Sequence, residues 1–354
     1  MSFRRFMLCV LMGLIVLPLS AEAETRKVAW SIYPGWMPIP HAEFKGYIRE
    51  EASKRGLTIE IVELSYPASF EQFTNGAFDA CVMTNMEAYD FPAASGVDVT
   101  VLSITDYSNG NDAVLVKEGV NPRTLPRGSQ VLLQEGTVSH YLYNKWVESI
   151  GRTPDYFQLV NITNEALFVA TFSQGDYPVG ITWNPHKMNL QNEPVVNPVP
   201  AYSSADIPGH IMDLLIATTA SVKESPQFAE ALTVAVYRSM ADMANRKTKW
   251  QTLQWMADKS GAGDRQEFNG QLETTRMFYK PANGAAWLNV EAPAIMEEVR
   301  QFCASTNLLP GTANADDVAI EFTADGATSV MGTPSKVKLR FTDVWMDKAA
   351  ELLP

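Results

Sequence analysis

Cysteine is scarce in this chain: three residues in 354, at Cys9, Cys81 and Cys303. That count excludes a disulfide-stapled scaffold and a four-cysteine zinc site. Histidine is nearly as rare. Four are scattered at His41, His140, His186 and His210, so no histidine-built metal centre and no cofactor are expected. Cations are also short, with 28 Lys plus Arg against 40 Asp plus Glu and a net charge of −12. A nucleic-acid binder needs clustered cations to displace counterions from phosphate, so that class is excluded. Long apolar runs are missing after the first two dozen residues, which leaves no segment of the length that crosses a bilayer. What is present is a globular composition, 46% hydrophobic and 19% charged, in a chain long enough for two ordinary domains.

The first 23 residues read as an export signal. Arg4 and Arg5 supply the positive start, Phe6–Leu19 the apolar run, and Ala21-Glu22-Ala23 the small residues before a cut, placing cleavage before Glu24. The run is shorter than the ~20 residues of a membrane span. Cys9 lies inside it, so no lipid-bearing cysteine follows. Removing two Arg and one Glu takes the net charge from −12 to −13. A periplasmic location is expected. Cys81 and Cys303 then remain, either as a pair or as two buried thiols.

From Arg26 onward short apolar runs alternate with helical patterns. Strands are expected at Lys27–Tyr33, Leu57–Leu64, Phe78–Met83, Val99–Thr105, Ala113–Val116, Gln130–Leu133, Phe157–Val160, Val179–Thr182 and Met212–Thr219. Phe44, Tyr47, Ile48 and Ala52 share one face of a helix that Gly56 ends. Further helices fit Phe70–Gly76, His140–Ile150, Glu165–Ser173, Pro226–Ala244, Thr248–Ala257, Gln266–Tyr279 and Pro293–Thr306. Strands separated by helices indicate βαβ units and parallel sheets. The fold class is therefore α/β: a first lobe over 24–108, a second over 109–215, and a mostly helical portion over 216–354 packing back on the first. Ligands of such folds sit beyond the carboxyl ends of the strands.

Five loops at strand ends carry the polar and aromatic residues. Ser31-Ile32-Tyr33-Pro34-Gly35-Trp36 is stiffened by proline and presents Trp36, either as an aromatic plate or as a core cap. In Thr84-Asn85-Met86-Glu87, Asn85 and Glu87 either point into the cleft or cap a helix start. Asp106-Tyr107-Ser108-Asn109-Gly110-Asn111-Asp112 joins the lobes; its two carboxylates are site candidates, although turns also favour Asp and Asn. Glu135-Gly136-Thr137-Val138-Ser139-His140 opens a helix, where Ser139 is a cap or a ligand and His140 a ligand or a satisfied polar residue. Thr182-Trp183-Asn184-Pro185-His186 ends a strand and is read as the return crossing, with Trp183 closing over the ligand or bracing the hinge.

Over nearly the whole chain after the leader, these motifs resemble a periplasmic solute-binding protein of the nitrate/sulfonate/taurine type, which serves an ABC importer. They are most similar to the branch associated with urea carboxylase-type enzymes. The residues that carry the resemblance are Trp30 to Pro38, Thr84 to Ala88, Asp106 to Asp112, Val138 to Leu142 and Thr182 to Pro185. It implies a two-lobed (type II) periplasmic-binding-protein clamshell, guanidinium or urea as solute, and a permease with its ATPase as partners. A monomer is expected.

Chemistry favours the cation. A planar guanidinium pairs with a carboxylate through two parallel hydrogen bonds and stacks on an aromatic face. Glu87, Asp106, Asp112 and Glu135 are the candidate carboxylates; Tyr33, Trp36 and Trp183 are the candidate faces. A nitrate or sulfonate binder would want Arg or Lys here, and residues 84–112 hold neither. Urea, the alternative solute, would not need several buried carboxylates. A different class, an enzyme similar to thiamine-pyrimidine synthases, shares the fold, but the cysteine-rich motif of those enzymes is missing. A sensor that presents the same cleft to a membrane receptor is the third reading.

Overall fold

The computed structural model describes residues 24–193, 196–312 and 314–353. The export signal expected over 1–23 lies outside the described residues. In chain order the strands are β1 (Glu24–Trp30), β2 (Leu57–Glu63), β3 (Ala80–Thr84), β4 (Val99–Ser108), β5 (Ala113–Val116), β6 (Gln130–Leu133) and β7 (Gln158–Asn161). They continue with β8 (Val179–Thr182), β9 (Val199–Ser203), β10 (Met212–Thr218), β11 (Thr275–Met277), β12 (Ala319–Ala324), β13 (Ala327–Met331) and β14 (Val337–Thr342).

Two sheets organise two lobes. The first runs β13-β12-β14-β4-β10-β3-β1-β2, with β11 added alongside β4; the second runs β7-β6-β8-β5-β9. Helices cover the central strands of the first sheet. β3 is buried throughout and reads as an almost continuous apolar run; β4 is buried at every residue but Tyr107, although it carries Thr100, Ser103, Thr105 and Asp106. The longest helix, Pro226–Ala244, begins with a proline, whose missing N–H costs nothing in a first turn, and buries Phe228, Leu232, Val236 and Tyr237.

The chain leaves the first sheet after β4, builds the second, and returns between β9 and β10. Thr182–His186 is therefore not the return crossing. It closes β8 inside the second lobe, where the Asn184 N–H donates to Asn111 Oδ1 at 3.1 Å. β10 pairs antiparallel with both β3 and β4, so it belongs to the first lobe, and the second ends before it rather than at 215. Because β10 runs against its neighbours, its first residues lie at the edge where β3 and β4 end.

Three other expectations change. The single helix around Phe44–Ala52 is two, Pro38–Phe44 and Tyr47–Ser53, because Gly46 at φ +74° turns the chain between them. The helix expected over Gln266–Tyr279 ends at Glu273. Thr275, Arg276 and Met277 then pair with the end of β4 as β11, and the Phe278 N–H donates to Thr105 O at 2.9 Å. The portion after 216 is not mainly helical at its end: β12, β13 and β14 extend the first sheet, with β14 parallel to β4. Cys81 and Cys303 are two free, buried thiols.

Candidate functional site

The cleft edge of the first sheet assembles an acidic pair. Across the antiparallel β4–β10 pairing, Asp213 is the Cα partner of Asp106, and on the other side it is the partner of Thr84. Both aspartates are buried. Asp106 Oδ2 accepts from the Thr105 hydroxyl at 2.9 Å, but Asp106 Oδ1 and Asp213 Oδ2 have no hydrogen-bond partner. A third carboxylate, Asp112, stands at the start of the second lobe, where its Oδ2 accepts from Ser108 Oγ at 2.5 Å.

The loop after β1 supplies the aromatic side. Pro34 starts a tight turn, the Trp36 N–H donates to Tyr33 O at 3.0 Å, and both rings are buried against the cleft. Gly35 is required there by space: a Cβ on it would stand 2.5 Å from each carboxylate oxygen of Asp106. From Trp36 the rings continue to Tyr33 at 4.9 Å and Tyr66 at 5.2 Å between centroids, and Tyr66 meets the edge of Trp183, from the second lobe, at 6.1 Å.

These residues enclose a small cavity of about 20 Å³ lined by Tyr33, Trp36, Tyr66, Asp112, Trp183 and Asp213, with Thr84, Val138 and Ile211 completing the wall. That volume suits a guest of very few heavy atoms. Tyr66 and Trp183 also form part of a wider chamber of about 470 Å³ that includes Glu63, Glu165 and His186. Among the described residues no cationic side chain lines the small cavity. The cation closest in effect is Lys187, whose Nζ donates to Gly110 O at 2.5 Å and whose charge is felt by Asp112.

The electrostatics follow from burial. Loss of water pushes Asp106 up to about 7 and Asp112 up to about 6, the latter against the opposing pull of the Ser108 hydroxyl and Lys187. Asp213 is raised well above the ordinary carboxylate range, first by burial and then by the charge of Asp106 beside it. Two carboxyls this close cannot both ionise without a cation between them. Burial and the three aspartates also hold the Tyr33 hydroxyl well above its usual range. Asp106 Oδ1, Asp213 Oδ2, Tyr33 Oη and Trp36 Nε1 are all buried without partners. Buried polar atoms are ordinarily satisfied; the two carboxylate oxygens call for donors on a guest, whereas the Trp36 Nε1–H is itself a donor and needs an acceptor.

Of the residues singled out in the sequence, Tyr33, Trp36, Asp112 and Trp183 line the cavity, and Asp106 pairs with Asp213 at its acidic edge. Glu87 is spent elsewhere. Its Oε1 accepts the Val138 N–H at 3.0 Å and its other oxygen takes the Thr84 hydroxyl. Asn85 pins the return crossing, accepting from the Met212 N–H at 3.0 Å and donating to His210 O at 3.1 Å. Ser139 is buried beside Val138, and its hydroxyl has no partner. Glu135 is exposed in the turn after β6, with its N–H held by Asn161 Oδ1 at 3.0 Å, and His140 packs edge-on against Phe302 at 5.5 Å. Neither lines the cavity.

The sequence reading did not single out Asp213 or Tyr66. A carboxylate as the second residue of an otherwise apolar strand, Met212-Asp213-Leu214-Leu215-Ile216, was the signal for the first. The second stands in Ser65-Tyr66-Pro67, at a helix start just past β2.

Comparison with solved structures shows the fold. The alkanesulfonate-binding protein SsuA from Xanthomonas axonopodis pv. citri bound to MOPS is 13% identical, with a TM-score of 0.65 over 82% of this chain and 96% of that one. The periplasmic aliphatic sulphonate binding protein SsuA from Escherichia coli is 18% identical, with a TM-score of 0.63 over 83% and 97%. The periplasmic nitrate-binding protein NrtA from Synechocystis PCC 6803 is 14% identical, with a TM-score of 0.53 over 92% and 98%. The architecture is thus the two-lobed periplasmic-binding-protein clamshell. No curated protein sequence matches the chain. The sequence model described as "NMT1/THI5 like" matches residues 37–249, more than half of the length, and the chain belongs to that family.

Proposed function

We propose that this chain is the exported solute-binding component of an ABC importer, and that it captures a small planar cation, guanidinium. It hands the solute to a permease driven by its ATPase, works in the periplasm as a monomer, and catalyses nothing. The three compared proteins are named for sulfonates and nitrate, which are anions.

One observation carries the departure from them: among the described residues the small cavity is walled by Asp112, Asp213 and four aromatic rings and by no Arg or Lys. An anion there would meet carboxylates with nothing to offset them. A guanidinium offers only donors, matching the unpartnered Asp106 and Asp213 oxygens, and its flat face stacks on Trp36 or Trp183. The two described cysteines are buried with raised pKa values, Cys81 at about 12, which leaves no activated thiol for the enzyme reading.

Isothermal titration with guanidinium, methylguanidine, urea, nitrate and taurine tests this. Guanidinium is expected to bind at least about tenfold more tightly than urea, and nitrate and taurine not at all. Urea binding equal to or tighter than guanidinium removes the cation argument, and tight nitrate binding removes the reading of the cavity.

A further inference from the structure

Two hydrogen bonds cross the cleft with the same chemistry in opposite directions. Glu87, on the first lobe just past β3, accepts the N–H of Val138 at 3.0 Å; Val138 is the first residue of the second-lobe helix Val138–Ser149. Glu165, on the second lobe, accepts the N–H of Tyr66 at 3.0 Å; Tyr66 is the first residue of the first-lobe helix Tyr66–Thr74. First-turn N–H groups have no partner within their own helix, and the positive end of the helix dipole favours a carboxylate. Local caps leave both of these groups unserved. The Thr137 side chain takes the Ser139 N–H instead, and Ser65 makes no side-chain cap bond. Tyr66 and Val138 are both walls of the small cavity.

We propose that Glu87 and Glu165 are positioning residues, a pair of reciprocal clasps that draw one wall of the cavity from each lobe onto the opposite lobe and hold the cleft shut. Neither needs to touch the solute. Each exchanges a water-facing helix end in the open form for a hydrogen bond to a carboxyl oxygen in the closed form, so the chain has a closed population before any solute arrives. Filling the cavity then adds to a closure already begun, and the clasps set how long the solute stays.

The test measures lobe separation and solute kinetics in parallel. Spin labels at Glu60→Cys on the first lobe and Arg123→Cys on the second, both exposed positions, report the inter-lobe distance, while the native cysteines are buried. Glu165 sits half-buried on a short turn, so Glu165→Ala tests its clasp without emptying the core. Glu87→Met tests the buried one with its volume nearly kept and its acceptor removed. Without solute, the unaltered clasps are expected to give a mainly short distance; Glu165→Ala shifts it longer, adding Glu87→Met shifts it further, and Glu165→Gln, which keeps an accepting oxygen, restores much of it. Guanidinium dissociation, followed by tryptophan fluorescence, is expected to speed up about tenfold in Glu165→Ala, with association changed by less than about twofold. Distances unchanged in both Glu165→Ala and the double variant overturn the clasps. Because the kinetic arm rests on the guanidinium reading and the distance arm does not, shifted distances with no guanidinium binding uphold the clasps and remove that solute alone.

Discussion

Asp106 and Asp213 face each other as Cα partners across two antiparallel strands, both buried, each with an oxygen that no protein donor reaches. The pair needs either a proton or a cation. That choice couples binding and stability to pH in opposite directions.

Asp106 titrates near 7 in the folded chain and near 4 once unfolded, so between about pH 4 and 7 the folded form holds a proton that the unfolded form has lost. Stability of the solute-free protein is therefore highest at the acidic end of that window, falls as pH rises through it, and levels off above it. Affinity for guanidinium runs the other way, climbing by up to about tenfold per pH unit until the pair is ionised. Titration calorimetry and thermal melts between about pH 5.5 and 7.5 read both slopes. An affinity independent of pH across that range contradicts the shared proton.

Asp213→Asn separates binding from folding. The amide keeps the shape, removes a buried carboxyl, and offers Asp106 a donor. Guanidinium affinity is expected to fall at least about thirtyfold, about 2 kcal/mol, while the melting temperature of the solute-free protein rises. A variant that loses both affinity and stability shows that Asp213 is structural.

Trp36 is tested by a pair of substitutions. Trp36→Phe keeps an aromatic face beside Tyr33 and Tyr66 and is expected to retain binding within about fivefold, whereas Trp36→Leu loses a further factor of about ten. Equal affinities in the two variants, measured by calorimetry, reduce the indole to core packing.

Gly35→Ala places a methyl group 2.5 Å from both Asp106 oxygens, closer than any side chain tolerates. The backbone there is not left-handed, so the effect is purely one of space. The carboxylate must swing or the loop must lift, at a cost of about 1–3 kcal/mol in stability. Guanidinium affinity is expected to drop about tenfold or more with it. Unaltered melting and binding curves would show that Asp106 moves freely.

Much of this arrangement was legible in the sequence. Strand-end loops dense in aromatics and carboxylates pointed to Tyr33, Trp36, Asp106, Asp112 and Trp183, because in a sheet of βαβ units those ends share one edge. Asp213 was hidden for a topological reason. It begins a strand, and only the antiparallel insertion of β10 between β3 and β4 brings a strand's start to the edge where its neighbours finish. Glu87 was legible as a residue near a helix start but not as one serving the helix of the other lobe, since that contact joins positions far apart in the chain. Glu135 was misleading: a strand-to-helix turn looks the same in sequence whether its first side chain faces the cleft or the outside. Of the last three strands, β13 is short and exposed, so periodicity does not separate it from loop, whereas β14, Val337-Lys338-Leu339-Arg340-Phe341-Thr342, alternates apolar with polar residues and was legible as a strand.

Asp213 follows the return crossing by two residues, and Asn85 grips that crossing at both His210 O and the Met212 N–H. The Asn85 amide fastens the end of the crossing to the first lobe just before Asp213, which β3 and β4 hold from both sides. A bend between the lobes is therefore expected upstream of His210, so the acidic edge keeps its shape while the outer half swings.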